Sequence, residues 1–180
     1  TAPQHMKVSS IAVLGLVLAA ALRPAPACAE GERVVKIGHA APTSGWLAAV
    51  GIENENAARL AIETLNERGL RVDGRRVVFE LITADDAGEA ARGRDNAQAL
   101  VAGGAVAVVG HFLSGTTMAA APVYAAAGIA QVSPTSTLGA YTRSGWPTAF
   151  RLLADALGIG ALLARYAVEQ LHARRFVLID

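Results

Sequence analysis

The sequence predicts an α/β fold, a doubly wound parallel sheet with helices on both faces. Short apolar runs alternate with segments whose apolar residues recur at helical spacing over most of the 180 residues. The run at 105–110, AVAVVG, is apolar at successive positions, as in strands that helices cover on each side. Strand–helix alternation of this kind gives parallel sheets with right-handed crossovers.

Residues 1–29 are predicted to be a signal peptide. Lys7 precedes an uncharged apolar run at 11–22, and small residues follow at 27–29. As a helix, that run would extend only about 18 Å, too short for a hydrocarbon core of about 30 Å. We therefore expect export to the periplasm, with lipid attachment at Cys28 as the less favoured alternative.

The remaining elements are justified by their residue patterns. Aliphatic and β-branched runs predict strands or extended pieces at 34–39, 76–83, 105–110, 129–133, 149–152 and 175–180. Helical spacing with glycine at several ends predicts helices at 54–68, 89–102, 116–127 and 155–172. Small residues predict a loop at 40–51, and Val-Asp-Gly-Arg at 72–75 predicts a tight turn. Because the last run is a strand with no helix after it, we expect 30–180 to be the N-terminal lobe of a truncated two-lobed protein.

Composition excludes several functional classes. The 16 basic and 15 acidic residues give a net charge of +1, which argues against nucleic-acid binding and against a polybasic membrane surface. A single cysteine excludes an intrachain disulfide and a cysteine-based zinc site. His39, His111 and His172 lack metal-ligand spacing. We therefore expect no metal and no cofactor.

Two loops predict a site for a small polar ligand. Ligands of open parallel sheets bind beyond the carboxyl ends of the strands. In the loop at 110–117, Ser114 lies near a helix N-terminus, whose N–H groups favour a carboxylate, although a plain helix cap is an equal alternative. The loop at 133–137 carries four hydroxyls, which accept from an ammonium and donate to a carboxylate, unless it is an ordinary turn. Neither loop contains lysine or arginine, which favours a zwitterionic or neutral ligand over a nucleotide.

Two other interpretations of these segments are weaker. Asp85 and Asp86 could form a phospho-acceptor or Mg²⁺ site, but the Asp-x-x-Glu spacing at 86–89 favours a capping box. Ser114 could be the nucleophile of an exported hydrolase. However, Phe112 stands where a nucleophile elbow has glycine, so we expect no enzyme.

Three segments resemble the periplasmic branched-chain amino acid binding proteins of ABC importers, which belong to the type I periplasmic binding protein family. They are VKIG at 35–38 with Ser-Gly at 44–45, GHFLSG at 110–115 and SPTST at 133–137. The resemblance runs from about 34 to 180. It implies the first of two α/β lobes that close on an amino acid, in a monomer that serves an ABC permease.

The resemblance also implies which residues bind the amino acid. Ser114 and Thr137 would hold its charged groups with hydroxyl and N–H, and Thr135 would offer a carbonyl. The other members of the implied set are Ser136, Leu113, Phe112 and Val50. Because Val50 stands where the family often has an aromatic residue, a binder of amides, short-chain acids or aromatic acids on the same fold is the alternative.

Overall fold

The computed structural model describes residues 31–177, so the predicted signal peptide at 1–29 and its Cys28 lie outside the described residues. The strands are β1 Arg33–Ala41, β2 Arg71–Val72, β3 Arg75–Asp85, β4 Ala105–Gly110, β5 Ala130–Ser133 and β6 Ala149–Arg151. The helices are α1 Ala48–Glu67, α2 Ala90–Ala102, α3 Ser114–Ala127, α4 Ala140–Arg143 and α5 Ala156–Glu169.

These strands form one six-stranded sheet in the order β2-β3-β1-β4-β5-β6. Only the hairpin of β2 and β3 is antiparallel, and its turn at Asp73 and Gly74 has the two positive φ angles, 52° and 79°, of a type I′ turn. The other pairs are parallel. The predicted parallel α/β sheet is confirmed. Because β1 pairs with both β3 and β4, the crossovers diverge at β1, and the loop of Ser114 follows β4 on one side of this divergence.

Helices cover both faces of β1, as the alternation of its side chains requires. Ala40 belongs to the buried cluster that α2 and α3 form against one face of the sheet, together with Leu100, Val108 and Tyr124. His39 points to the other face, where its Nε2 lies 3.0 Å from Oδ1 of Asn54 in α1. A largely apolar, partly open pocket of about 430 Å³ lies between α1 and this second face.

The loop predicted at 40–51 is shorter than expected. A 3₁₀ turn occupies Gly45–Leu47, and α1 begins at Ala48, so Gly51 lies inside a helix. A Cβ at Gly51 would lie only 2.0 Å from the carbonyl oxygen of Pro42. This glycine allows the β1 loop to pack on α1, and interpreting it as a loop residue was wrong.

The C-terminal helix α5 has no buried residue, and Leu157, Leu162 and Leu163 are each more than 60% exposed. The strand predicted at 175–180 is wrong for the described residues 175–177, which pair with no strand of the sheet. A strand forms only against a neighbour, and Val177 is 87% exposed. Within 31–177, no helix combines the length and apolar character needed to cross a membrane.

Candidate functional site

An open cleft of about 330 Å³ lies at the carboxyl ends of β4, β5 and β6. Its lining consists of Ser114, Thr137, Leu138, Gly139, Arg143, Asp155, Ala156 and Leu157. The structure thus brings Ser114 and Thr137, which come from two different loops, into one cleft. The volume lies at the small end of the range for ligand pockets, which suits a small molecule.

Ser114 occupies the first turn of α3, and its hydroxyl does not cap the helix. Leu113 stands at the N-cap, without a side-chain bond to the helix. The N–H of Thr117 donates to the Leu113 carbonyl over 2.9 Å, so the N–H groups of 114–116 have no partner within the helix. The plain-cap interpretation of Ser114 was therefore wrong. The free N–H groups and the helix dipole make this end attractive to an anion.

The hydroxyl-rich loop at 133–137 is tied to the loop of Ser114. Ser136 donates its hydroxyl to the hydroxyl of Ser114 over 3.2 Å, and Thr135 donates to the carbonyl of Phe112. The two loops therefore touch at one edge of the sheet, as the parallel topology predicts.

Thr137 differs from Thr135 and Ser136 because it lines the cleft directly. Its carbonyl accepts a hydrogen bond from the N–H of Ala156 over 2.9 Å. This bond anchors the loop at 133–137 to the first turn of α5.

The other predicted binding residues lie outside the lining of this cleft. Thr135 is partly buried and Ser136 is fully buried. Leu113 packs towards Gly88, and its Cδ1 lies 3.1 Å from the position that a Cβ would take there. Phe112 is half-buried, and Val50, in the first turn of α1, is 40% exposed. Contact of these residues with a ligand stays a prediction.

The structure adds a charged pair to the cleft that sequence reasoning missed. Arg143 donates to Oδ2 of Asp155 over 2.6 Å, while Oδ1 of Asp155 accepts the N–H of Gly158 over 2.8 Å and caps α5. The Gly158 hydrogen bond and the Arg143 guanidinium lower the pKa of Asp155. Glycine at 139 leaves room for the guanidinium of Arg143, because a Cβ there would lie only 2.1 Å from its Nη2. Aspartate before a helical run indicates a cap, but no local pattern indicates its arginine partner.

The capping box predicted at 86–89 is wrong. Glu89 stands at the N-cap of α2 without a side-chain bond to it. Asp86 is fully buried, and its Oδ2 lies 2.7 Å from Nδ1 of His111. Its Oδ1 accepts the N–H of Gly88 over 2.9 Å. The carboxylate of Asp86 therefore pairs with the buried imidazole of His111, 25 residues away in sequence. It does not cap α2, as the local spacing predicted.

The neighbouring carboxylate of Asp85 fastens the loop after β1. It accepts the N–H groups of Thr43 and Ala87 over 2.9 Å each, and that of Ser44 over 3.3 Å. Partial burial acts to raise the pKa of Asp85, but the hydrogen bonds from Ser44, Ala87 and Thr43 outweigh it and lower that pKa. Among the described residues, no group of three or more potential ligands could hold a metal ion.

The geometry does not pair Ser114 with a histidine base. The ring nitrogens of His111 contact Asp86 and the hydroxyl of Tyr124, and the hydroxyl of Ser114 contacts Ser136. A serine nucleophile needs a base within hydrogen-bond reach of its hydroxyl. Neither His111 nitrogen makes that contact.

Fold and cleft together define an α/β lobe of the ligand-binding class, with N–H and hydroxyl groups at the carboxyl ends of its strands. Residues 34–180 match the family described as Periplasmic binding protein, and the chain belongs to that family. Its fold is that of a lobe of the type I periplasmic binding proteins. The family consists of binding proteins rather than enzymes.

Similar proteins are known in sequence and in structure. The chain is 32% identical to the Leu/Ile/Val-binding protein of Rhizobium johnstonii over 146 residues, 81% of this chain and 39% of that protein. The branched-chain amino acid transporter substrate binding protein of Streptococcus pneumoniae, in complex with isoleucine, matches with a TM-score of 0.69 and 31% identity, over 78% of this chain and 40% of that one. An ABC transporter substrate-binding protein of Desulfitobacterium hafniense, in complex with Leu, matches with a TM-score of 0.62 and 35% identity, over 77% of this chain and 39% of that one. The chain thus spans about 40% of the length of these relatives.

Proposed function

We propose that this chain is the ligand-binding lobe of an extracytoplasmic receptor that captures a branched-chain or related amino acid for an ABC transporter. The observation that carries the proposal is the meeting of Ser114 and Thr137 in one cleft beside a helix N-terminus. The relatives support it, because two of them are complexes with isoleucine and leucine.

The cleft offers complementary groups for both charges of an amino acid. The N–H groups of Ser114 and Gly115, which have no partner within the helix, and the hydroxyls of Ser114 and Thr137 can donate to a carboxylate. Hydroxyl and carbonyl oxygens of the loop at 133–137 can accept from an ammonium. At the rim, the carboxylate of Asp155 pairs with Arg143 over 2.6 Å and lies 3.9 Å from Arg151, so it offsets part of the arginine charge at this end of the cleft.

We further propose that a second lobe completes the site, with 30–180 as the N-terminal lobe. The cleft is open, and α5 exposes the side chains of Leu157, Leu162 and Leu163. A helix that leaves its large apolar side chains this exposed is typical of an element that packs against other protein. Ligand binding would then shift the protein towards a closed form that the permease recognises. Export through 1–29 and a monomeric state belong to the same proposal.

Isothermal titration calorimetry of the full-length protein tests this function. The panel is leucine, isoleucine and valine, then leucinamide and 4-methylpentanoate, which each lack one charged group of leucine, and 4-hydroxybenzoate as an aromatic acid. We expect saturable binding of the three amino acids and much weaker binding of the other three compounds. Binding of the amide or the acids, but not of the amino acids, would favour the alternative function. That alternative is a binder of amides, short-chain acids or aromatic acids, which the small side chain of Val50 leaves open.

A further inference from the structure

We propose that the buried pair of Asp86 and His111 is a positioning device for the binding cleft, which fixes the junction between the loops of Ser114 and Thr137. The inference rests on the proposed function and extends it to two residues that do not line the cleft.

The ring of His111 is held from both sides. Its Nδ1 lies 2.7 Å from Oδ2 of Asp86, and its Nε2 lies 3.2 Å from the hydroxyl of Tyr124. All three residues are fully buried, so water does not compete for these bonds. Since a carboxylate only accepts, Nδ1 carries the proton that Asp86 accepts, and in the Nδ1–H tautomer Nε2 accepts the hydroxyl proton of Tyr124.

The main chain of His111 is the junction of the two loops. Its carbonyl accepts the hydroxyls of Thr117 over 3.0 Å and of Ser133 over 2.9 Å. The Ser133 oxygen accepts the N–H of Ser136 over 3.1 Å, and Ser136 donates in turn to Ser114. A continuous path of hydrogen bonds and chain therefore runs from the buried imidazole to a hydroxyl that lines the cleft.

Asp86 is itself fixed to the scaffold. Its N–H donates to the carbonyl of Ala41 at the end of β1 over 3.2 Å, and its Oδ1 accepts the N–H of Gly88. Its two oxygens thus have separate tasks. An amide has only one accepting oxygen, so Asp86→Asn keeps the volume but turns an N–H towards His111. The ring must then change tautomer, so that Nδ1 accepts and Nε2 donates to Tyr124.

The experiment compares Asp86→Asn with Asp95→Asn in the full-length protein. Asp95 is exposed and pairs with the adjacent Arg94, so it controls for the same loss of charge. Leucine affinity is measured by calorimetry well below the melting temperature of each variant. We expect Asp86→Asn to bind leucine about tenfold more weakly, because one misplaced donor is a loss of that order, and Asp95→Asn to stay within about twofold. Nitrogen-15 NMR of the His111 ring should show the proton moving from Nδ1 to Nε2.

A second variant keeps the test decisive if Asp86→Asn does not fold. Ser133→Ala leaves Asp86 and His111 paired but removes the link to Ser136. It should weaken leucine binding in the same direction with an unchanged His111 tautomer. A lower melting temperature with unchanged leucine affinity in the folded variants would show a purely structural pair and overturn the inference.

The same variants separate this inference from the proposed function. If the parent protein binds none of the amino acids, the amide resonances of Ser114 and Thr137 in the unliganded protein decide whether the pair positions the cleft. They should shift in Asp86→Asn or Ser133→Ala and stay in place in Asp95→Asn. If they do not move, the pair does not position the cleft, whatever the ligand is.

Discussion

The buried hydroxyl of Ser136 donates a hydrogen bond to the partly exposed hydroxyl of Ser114, over 3.2 Å. The bond joins the loops that follow β4 and β5. Because the oxygen of Ser114 accepts this bond, its own proton remains available for a second partner in the cleft. The pair therefore presents a directed donor to a carboxylate beside the N-terminus of α3.

Replacing Ser114 by alanine should weaken binding of leucine by about tenfold. The variant loses the directed donor and leaves the buried hydroxyl of Ser136 without its acceptor. The control is Thr64→Ala, which removes an exposed hydroxyl that bonds the Leu60 carbonyl within α1. Calorimetry on both variants gives the comparison, and equal affinities for leucine would contradict a binding role for Ser114.

The meeting of the two loops could be predicted from the sequence, because the carboxyl ends of parallel strands lie at one edge of a sheet. Once 105–110 and 129–133 are assigned as neighbouring strands, Ser114 and Thr137 have to lie at the same edge. The helix bounds and Gly51 were less predictable. A glycine in an unassigned segment indicates a loop, and only the approach of Pro42 shows that it packs inside a helix.

Long-range pairs of the site could not be predicted from spacing. Asp86 had a sufficient local explanation as a cap, and nothing in the sequence places His111 beside it in the core. Arg143 likewise meets Asp155 only because α4 and α5 follow adjacent strands. Side-chain pairs of this kind depend on the packing of whole elements, which local patterns do not specify.

Two glycine-to-alanine changes should affect stability in opposite directions. In Gly51→Ala the new methyl would collide with the backbone of Pro42, so we expect destabilisation by about 1–3 kcal/mol. In Gly115→Ala, in the first turn of α3, a Cβ meets nothing within 4 Å. There the lower entropy of the unfolded chain should give a neutral change or a gain of up to about 1 kcal/mol. Urea unfolding without ligand measures both, and equal midpoints would refute the packing role of Gly51.

Burial lowers the pKa of His39 below its usual value of 6.5. The hydrogen bond with Asn54 and the carboxylates of Glu55 and Asp86 act in the opposite direction, and His111 adds to the lowering. The unfolded chain therefore binds a proton at this residue more readily than the folded protein does. The stability that depends on neutral His39 is fully present above pH 6.5 and is lost as the pH falls towards the lowered pKa.

We expect the free energy of unfolding to decrease between pH 7.5 and 5.5, and His39→Gln to reduce that decrease. The exposed His172 provides the control through His172→Gln. The lowered pKa values of Asp85 and Asp155 act in a separate window, since their contribution is lost only below about pH 4. Urea titrations at several pH values measure the slopes. The interpretation fails if His39→Gln keeps the slope of the parent.

The ion pair at the rim of the cleft should influence which ligand charge is accepted. Asp155→Asn keeps a good helix cap but leaves the Arg143 guanidinium without its partner. The cleft of this variant carries an additional positive charge, which attracts an anion more than a zwitterion. We expect the affinity for 4-methylpentanoate to rise relative to that for leucine by about threefold or more at low salt.

Salt and a matched variant distinguish this electrostatic effect from a change of shape. An exposed guanidinium is screened at high ionic strength, so the gain in relative affinity should shrink towards the parent value in 0.5 M sodium chloride, where the Debye length is only about 4 Å. Asp95→Asn changes the net charge equally but lies away from the cleft lining, so its affinity ratio should match the parent at both salt concentrations. A ratio that rises in Asp155→Asn but does not respond to salt would mean that the loop of Thr137 has moved. A ratio that does not rise at all would show that Arg143 does not act on the bound ligand.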